Sequence, residues 1–86
     1  MKILIVEDEP SLREIMCRTL EREQYVVEQA ADYAAASDKL AAYDYDCILL
    51  DIMLPGGSGL QLLRELKERR SRAGVIIVSA RDSLDD

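Results

Sequence analysis

Three short apolar runs, Ile3-Leu4-Ile5-Val6, Cys47-Ile48-Leu49-Leu50 and Val75-Ile76-Ile77-Val78, set the strongest limit on what this chain can fold into. None of them alternates with polar residues, and each ends at an acid or a hydroxyl: Glu7, Asp51 and Ser79. A strand apolar on both sides belongs in a sheet covered on both faces. Helical patterns lie between the runs. Pro10 fits the first turn of a helix along which Leu12, Ile15, Met16 and Leu20 recur at helical spacing. Asp32 suits the cap of a helix over Ala34 to Ala42, with Leu40 inside it. Pro55-Gly56-Gly57 reads as a loop, Ser58 as a cap, and Leu60, Leu62, Leu63 and Leu66 as the apolar stripe of a third helix. Tyr25-Val26-Val27 reads as a further strand, less apolar and so near a sheet edge. Strands alternating with helices of this length predict βαβ units, a parallel sheet and an α/β fold. With 86 residues, the chain has room for one small domain.

The residues that are missing narrow the chemistry. Histidine is absent, which removes Ser-His-Asp and Cys-His catalysis, His-rich metal sites and a phosphohistidine carrier. A net charge of −6 argues against direct nucleic-acid contact, which runs on a basic footprint. Phe and Trp are absent too, so the core has to be aliphatic. Cys17 and Cys47 sit inside apolar patterns and read as small buried hydrophobes. Tyr25, Tyr43 and Tyr45 read as partly buried aromatics with wet hydroxyls. Arg64, Glu65, Lys67, Glu68, Arg69 and Arg70 read as the solvated face of the third helix. No apolar run approaches the roughly 18–20 residues that span a bilayer, and no signal peptide opens the chain, so a cytoplasmic place without a membrane partner is expected.

Parallel α/β sheets bind ligands beyond the carboxyl ends of their strands. Glu7, Asp8, Asp51 and Ser79 all fall there. Singly, each has an ordinary explanation: Glu7 and Asp8 precede a helix they can cap, Asp51 can begin a turn, and Ser79 can be a loop hydroxyl. Together, neighbouring strands would point three carboxylates into one crevice, where their repulsion needs a positive partner. Magnesium, which takes hard oxygen ligands, answers that need and suits phosphoryl chemistry.

In three segments the sequence resembles the receiver domains of two-component response regulators. These are Lys2-Ile3-Leu4-Ile5-Val6-Glu7-Asp8-Glu9, then Ile48-Leu49-Leu50-Asp51-Ile52-Met53-Leu54-Pro55 followed by Gly59, then Val75-Ile76-Ile77-Val78-Ser79-Ala80. Glu7-Asp8-Glu9 with Leu12-Arg13-Glu14 looks most like the subclass joined to winged-helix DNA-binding domains. The resemblance implies a flavodoxin-like doubly wound sheet in the order 2-1-3-4, with residues 1–86 forming the amino-terminal part of the domain. It implies Asp51 as phosphoacceptor and, with Asp8, as a direct Mg2+ ligand. The Met53 backbone carbonyl would be a further ligand, and Glu7 would act through bound water. Ser79 would be the switch hydroxyl that turns toward the phosphoryl group. A sensor histidine kinase would be the donor, and DNA would be reached only through an output domain. Such a domain assists its own phosphorylation and dephosphorylation and is not a turnover enzyme.

Two departures from the family stand out. Ser58 takes a place where the family often has Asp. The family continues past the fourth strand with a fifth strand, whose lysine contacts the phosphate, and a last helix; no residue here takes that lysine's position. Right-handed crossovers would set the first helix on one face of the sheet and the other two on the opposite face. The face held by one helix would then be left partly bare, which predicts a homodimer, a swapped assembly or a marginally stable fragment. Two rival functions follow. One is a non-phosphorylated dimerisation or interaction module. The other is a magnesium-dependent phosphohydrolase, disfavoured because such enzymes place an acid two residues after the nucleophile and this chain has Met53.

Overall fold

A computed structural model describes residues 1–78, in which β1 (Lys2–Val6), β2 (Val26–Ala30), β3 (Cys47–Asp51) and β6 (Gly74–Val78) form a parallel sheet in the order β2-β1-β3-β6. This is the expected 2-1-3-4 order of a doubly wound sheet, with β6 as its fourth strand. An unanticipated antiparallel pair, β4 (Met53–Leu54) and β5 (Gly57–Ser58), lies inside the segment read as a loop. The helices α1 (Pro10–Arg22), α2 (Tyr33–Ala42) and α3 (Gly59–Glu68) connect the long strands.

Each helix starts where a side chain satisfies its open N–H groups. Pro10 opens α1, whose cap is Glu9; its Oε1 accepts from the Leu12 N–H at 2.7 Å. Asp32 caps α2 through the Ala35 N–H, and Ser58 caps α3 through the Leu60 N–H, both as expected. The helix over Ala34–Ala42 starts one residue earlier, at Tyr33. The second strand lies downstream of its expected start. It excludes the exposed Tyr25 and runs to Ala30, because it pairs residue for residue with Lys2–Val6.

Alternation along the strands divides the core in two. Leu4, Val6, Ile48 and Leu50 face α2 and α3, where they pack with Ala36, Leu40, Leu62 and Leu66. Ile3 and Ile5 face α1 and pack with Cys17, Met16 and Leu20. The split follows from right-handed crossovers in this strand order. Leu4, Ile5, Val6, Ile48, Leu50 and Leu62 are fully buried, each worth about 1.5–3 kcal/mol relative to exposure. Two apolar positions of the helical stripes lie outside the core: Ile15 is 61% and Leu60 49% exposed. Tyr45 is buried, and its hydroxyl donates to Glu28 on β2, not to solvent.

On the α1 face, cover fades toward β6. Ile3 and Ile5 are buried, Cys47 and Leu49 are half-buried, and Ile76, in register with Leu49, is 54% exposed. Leu49 is thus shielded more than the sequence suggested, because it packs against the cluster of Ile3, Ile5 and Cys17. No helix among the described residues is long and apolar enough to cross a membrane.

Candidate functional site

The strand register builds the site. Val6 of β1 lies opposite Leu50 of β3, so the next residues, Glu7 and Asp51, emerge side by side at the carboxyl ends of two central strands. Asp8 follows Glu7. One carboxylate oxygen from each of Glu7, Asp8 and Asp51 lies within 4.8 Å of the others. Glu7 and Asp51 are buried, at 4% and 7% exposure. The ordinary explanation for the acidic pair fails, because Glu9 takes the cap of α1 and neither Glu7 nor Asp8 is needed there.

Hydrogen bonds hold the cluster from its flanks. Glu7 Oε2 accepts from the Glu9 N–H at 3.1 Å, and Asp51 Oδ1 accepts from the Met53 N–H at 3.1 Å. Burial pushes the Glu7 carboxyl above its ordinary value, against the pull of the Glu9 N–H, and the adjacent Asp51 charge adds to the rise. Asp8 Oδ1 is buried with no hydrogen-bond partner among the described residues. An orphaned carboxylate oxygen beside two further carboxylates is costly unless a cation completes it. The donors are all hard oxygens, so the residues fit a magnesium-like ion and offer nothing to a soft one.

Arg13 is a residue that the sequence reading missed. Its Nη1 donates to the Glu7 carbonyl at 2.9 Å and more weakly to the Asp8 carbonyl, while Nε donates to Gln29 at 3.1 Å. The guanidinium therefore holds the backbone of the acidic loop and leaves its carboxylates free. Only its place on α1, six residues after Glu7, hinted at this. Met53 lies two residues beyond Asp51 at the start of β4, with its side chain 53% exposed. A cleft of about 330 Å³ lined by Asp8, Met53, Pro55 and Ser58 opens beside the acids. Ser79, the expected switch hydroxyl, lies outside the described residues.

A doubly wound α/β sheet with a cluster of three carboxylates at its carboxyl edge, two of them buried, defines a module suited to a divalent cation. The chain belongs to the response regulator receiver domain family, which matches residues 3–86. It is 43% identical over 84 residues to the uncharacterized transcriptional regulatory protein YkoG of Bacillus subtilis, covering 98% of this chain and 37% of that protein. It is 40% identical over 87 aligned positions to the phosphate regulon transcriptional regulatory protein PhoB of Escherichia coli, covering 99% of this chain and 38% of that protein. The chain thus spans little more than a third of these regulators. Among solved structures, the response regulator TrrA of Thermotoga maritima, in complex with Mg(2+)-BeF, superposes with a TM-score of 0.86 at 34% identity, covering 96% of this chain and 76% of that one. The likeness to transcriptional regulators agrees with the subclass suggested by the residues around Glu7 and Arg13.

Proposed function

We propose that the chain is the phosphoacceptor part of a two-component response regulator, with Asp51 as the residue that takes the phosphoryl group. The observation that carries this reading is the orphaned Asp8 oxygen beside the buried carboxylates of Glu7 and Asp51. Asp8, Asp51 and the Met53 carbonyl would hold Mg2+, with Glu7 acting through bound water. The ion's contribution is to offset negative charge on the transferring group. The related TrrA structure, solved with Mg(2+)-BeF, supports this assignment.

Asp51 needs position more than activation. It sits on a rigid strand with one oxygen held by the Met53 N–H, which leaves the other oxygen as nucleophile. That oxygen bonds to phosphorus while the donor's phosphorus–nitrogen bond breaks, and the imidazole of a sensor kinase's phosphohistidine keeps the electron pair. Ser79 would then be the switch hydroxyl, and the output would be transcription through a DNA-binding domain. On this reading residues 1–86 are the amino-terminal part of a receiver domain, a cytoplasmic module that assists its own phosphorylation without being a turnover enzyme. The decisive experiment is incubation of the chain with Mg2+ and a small phosphoramidate donor, followed by mass spectrometry. Label on Asp51, lost in Asp51→Asn, is the expected result; label elsewhere, or none, overturns it.

A second role, self-association without chemistry, is favoured by one observation. Ile76 and Ile77 of β6 are 54% and 40% exposed on a strand that has one strand neighbour among the described residues.

A further inference from the structure

The loop that carries the Met53 carbonyl has little to hold it in shape by itself. Its hairpin consists of two residue pairs, Met53 with Ser58 and Leu54 with Gly57, and Gly56 at its turn has a left-handed φ of 83°. A ladder this short is marginal in water, and glycines add conformational freedom. Leu54 anchors it in the core under α2 and α3, and Tyr33 braces it at two further points.

The Tyr33 N–H donates to the Pro55 carbonyl at 3.1 Å. Its ring packs against Gly57, so closely that a Cβ at Gly57 would stand 2.5 Å from the ring's Cδ2 and 2.7 Å from Cγ. Its hydroxyl donates to Glu65 on α3, which fixes the ring's direction. Pressure on Gly57 passes straight to the other strand of the hairpin, because Gly57 pairs with Leu54 and Ser58 with Met53. Ser58 is also the cap of α3.

We infer that Tyr33 is a positioning residue of the cation site: its ring fixes the β4–β5 hairpin and thereby aims the Met53 carbonyl that completes the ligand set. The inference rests on the reading of Glu7, Asp8, Asp51 and Met53 as the magnesium site. Residues that orient ligands without touching the metal commonly change affinity by about 10-fold or more when removed. Tyr33 is the first residue of α2, and nothing in its own spacing marks it as part of the site.

The test is calorimetric titration of the folded chain with MgCl2, comparing parent, Tyr33→Phe, Tyr33→Ala, Gly57→Ala and the Tyr33→Ala/Gly57→Ala pair. Tyr33→Ala should weaken binding about 10-fold. Tyr33→Phe, which keeps the ring, should restore most of the affinity. Gly57→Ala should weaken binding when Tyr33 is present and add much less when Tyr33 is already Ala, since the methyl group then meets only the remaining Cβ of residue 33, 3.1 Å away. A parent chain that binds no Mg2+ overturns the site reading and this inference with it. A parent that binds, with Tyr33→Ala equal to it in affinity but lower in melting temperature, shows a merely structural tyrosine and overturns this inference alone. If Tyr33→Ala does not fold, Gly57→Ala decides: unchanged affinity there overturns the inference too.

Discussion

Gly59 sits directly on the backbone of Asp51: a Cβ at Gly59 would lie 2.3 Å from the Asp51 carbonyl oxygen and 2.9 Å from the Ile52 Cα. The Gly59 N–H also donates to the Ile52 carbonyl at 2.8 Å, so the start of α3 is fastened to the end of β3. The glycine serves close approach of two backbone segments, which no side-chain rotation can relieve.

Gly59→Ala should therefore displace Asp51 itself. Overpacking of this kind costs about 1–3 kcal/mol. In a domain of this size that lowers the melting temperature by about 4–8 °C per kcal/mol. Thermal unfolding combined with a Mg2+ titration checks both parts. A variant with parent stability and parent affinity would contradict the claim that Asp51 is held by this contact.

Asp8→Asn should act in opposite directions with and without the cation. In chelator, removing one of three clustered charges relieves repulsion and should raise stability. With Mg2+ present the parent should gain stability by mass action, about 2.7 kcal/mol at 100 times Kd, and the variant should gain little. Melting curves in EDTA and in excess Mg2+ read this as a crossing of the two proteins' stabilities. Equal Mg2+-induced shifts would remove Asp8 from the ligand set.

Much of this arrangement was legible in the sequence, for a physical reason. Strands buried on both faces must be apolar throughout, so Ile3–Val6, Cys47–Leu50 and Val75–Val78 could be placed, and with the first two the acids at their ends. The cap of α1 was harder to assign. Glu7, Asp8 and Glu9 can each accept an N–H bond, and only the backbone path shows that Glu9 does so. The β4–β5 hairpin, two residues per strand, is too short to show any periodicity. Ile15 and Leu60 fit helical stripes but are exposed, because how wide a stripe is covered depends on the strands beneath it. Arg13, Tyr33 and Tyr45 find their partners on other elements, and spacing along the chain carries no such information.

Glu28 should give the chain an acid-side stability limit. Tyr45 donates to its carboxylate, and Lys2 and Lys39 lie 3.5 Å and 3.6 Å from it, so the Tyr45 bond and then the lysine charges hold its pKa below the ordinary 4.5. A carboxyl depressed in the folded state stabilises the fold above its unfolded pKa and loses that contribution as pH falls through the folded one. Stability should accordingly decline below about pH 4.5, and Glu28→Gln should flatten the part of that decline due to this group. Urea unfolding across the acid range tests it. A Glu28→Gln profile parallel to the parent's would show that the cluster has no net linkage to pH.

The edge strand β6 carries the last expectation. Its sequence, Gly74-Val75-Ile76-Ile77-Val78, has no charge and no proline, the two devices by which proteins usually blunt an open strand edge. Ile76 points to the α1 face, where α1 is the one covering helix among the described residues, and Ile77 points to the other face; they are 54% and 40% exposed. Apolar side chains on both faces of an edge that has no strand partner among the described residues favour pairing with another copy, which would cover them and pair the edge's backbone groups together. The 86-residue chain should therefore self-associate as its concentration rises, visible as a growing sedimentation coefficient. Ile76→Lys should suppress the association while leaving the stability of the dilute protein within about 0.5 kcal/mol of the parent's, because the side chain is already half in water. A parent chain that sediments as a monomer at high concentration would show that these residues are tolerated at the surface and that β6 recruits no second copy.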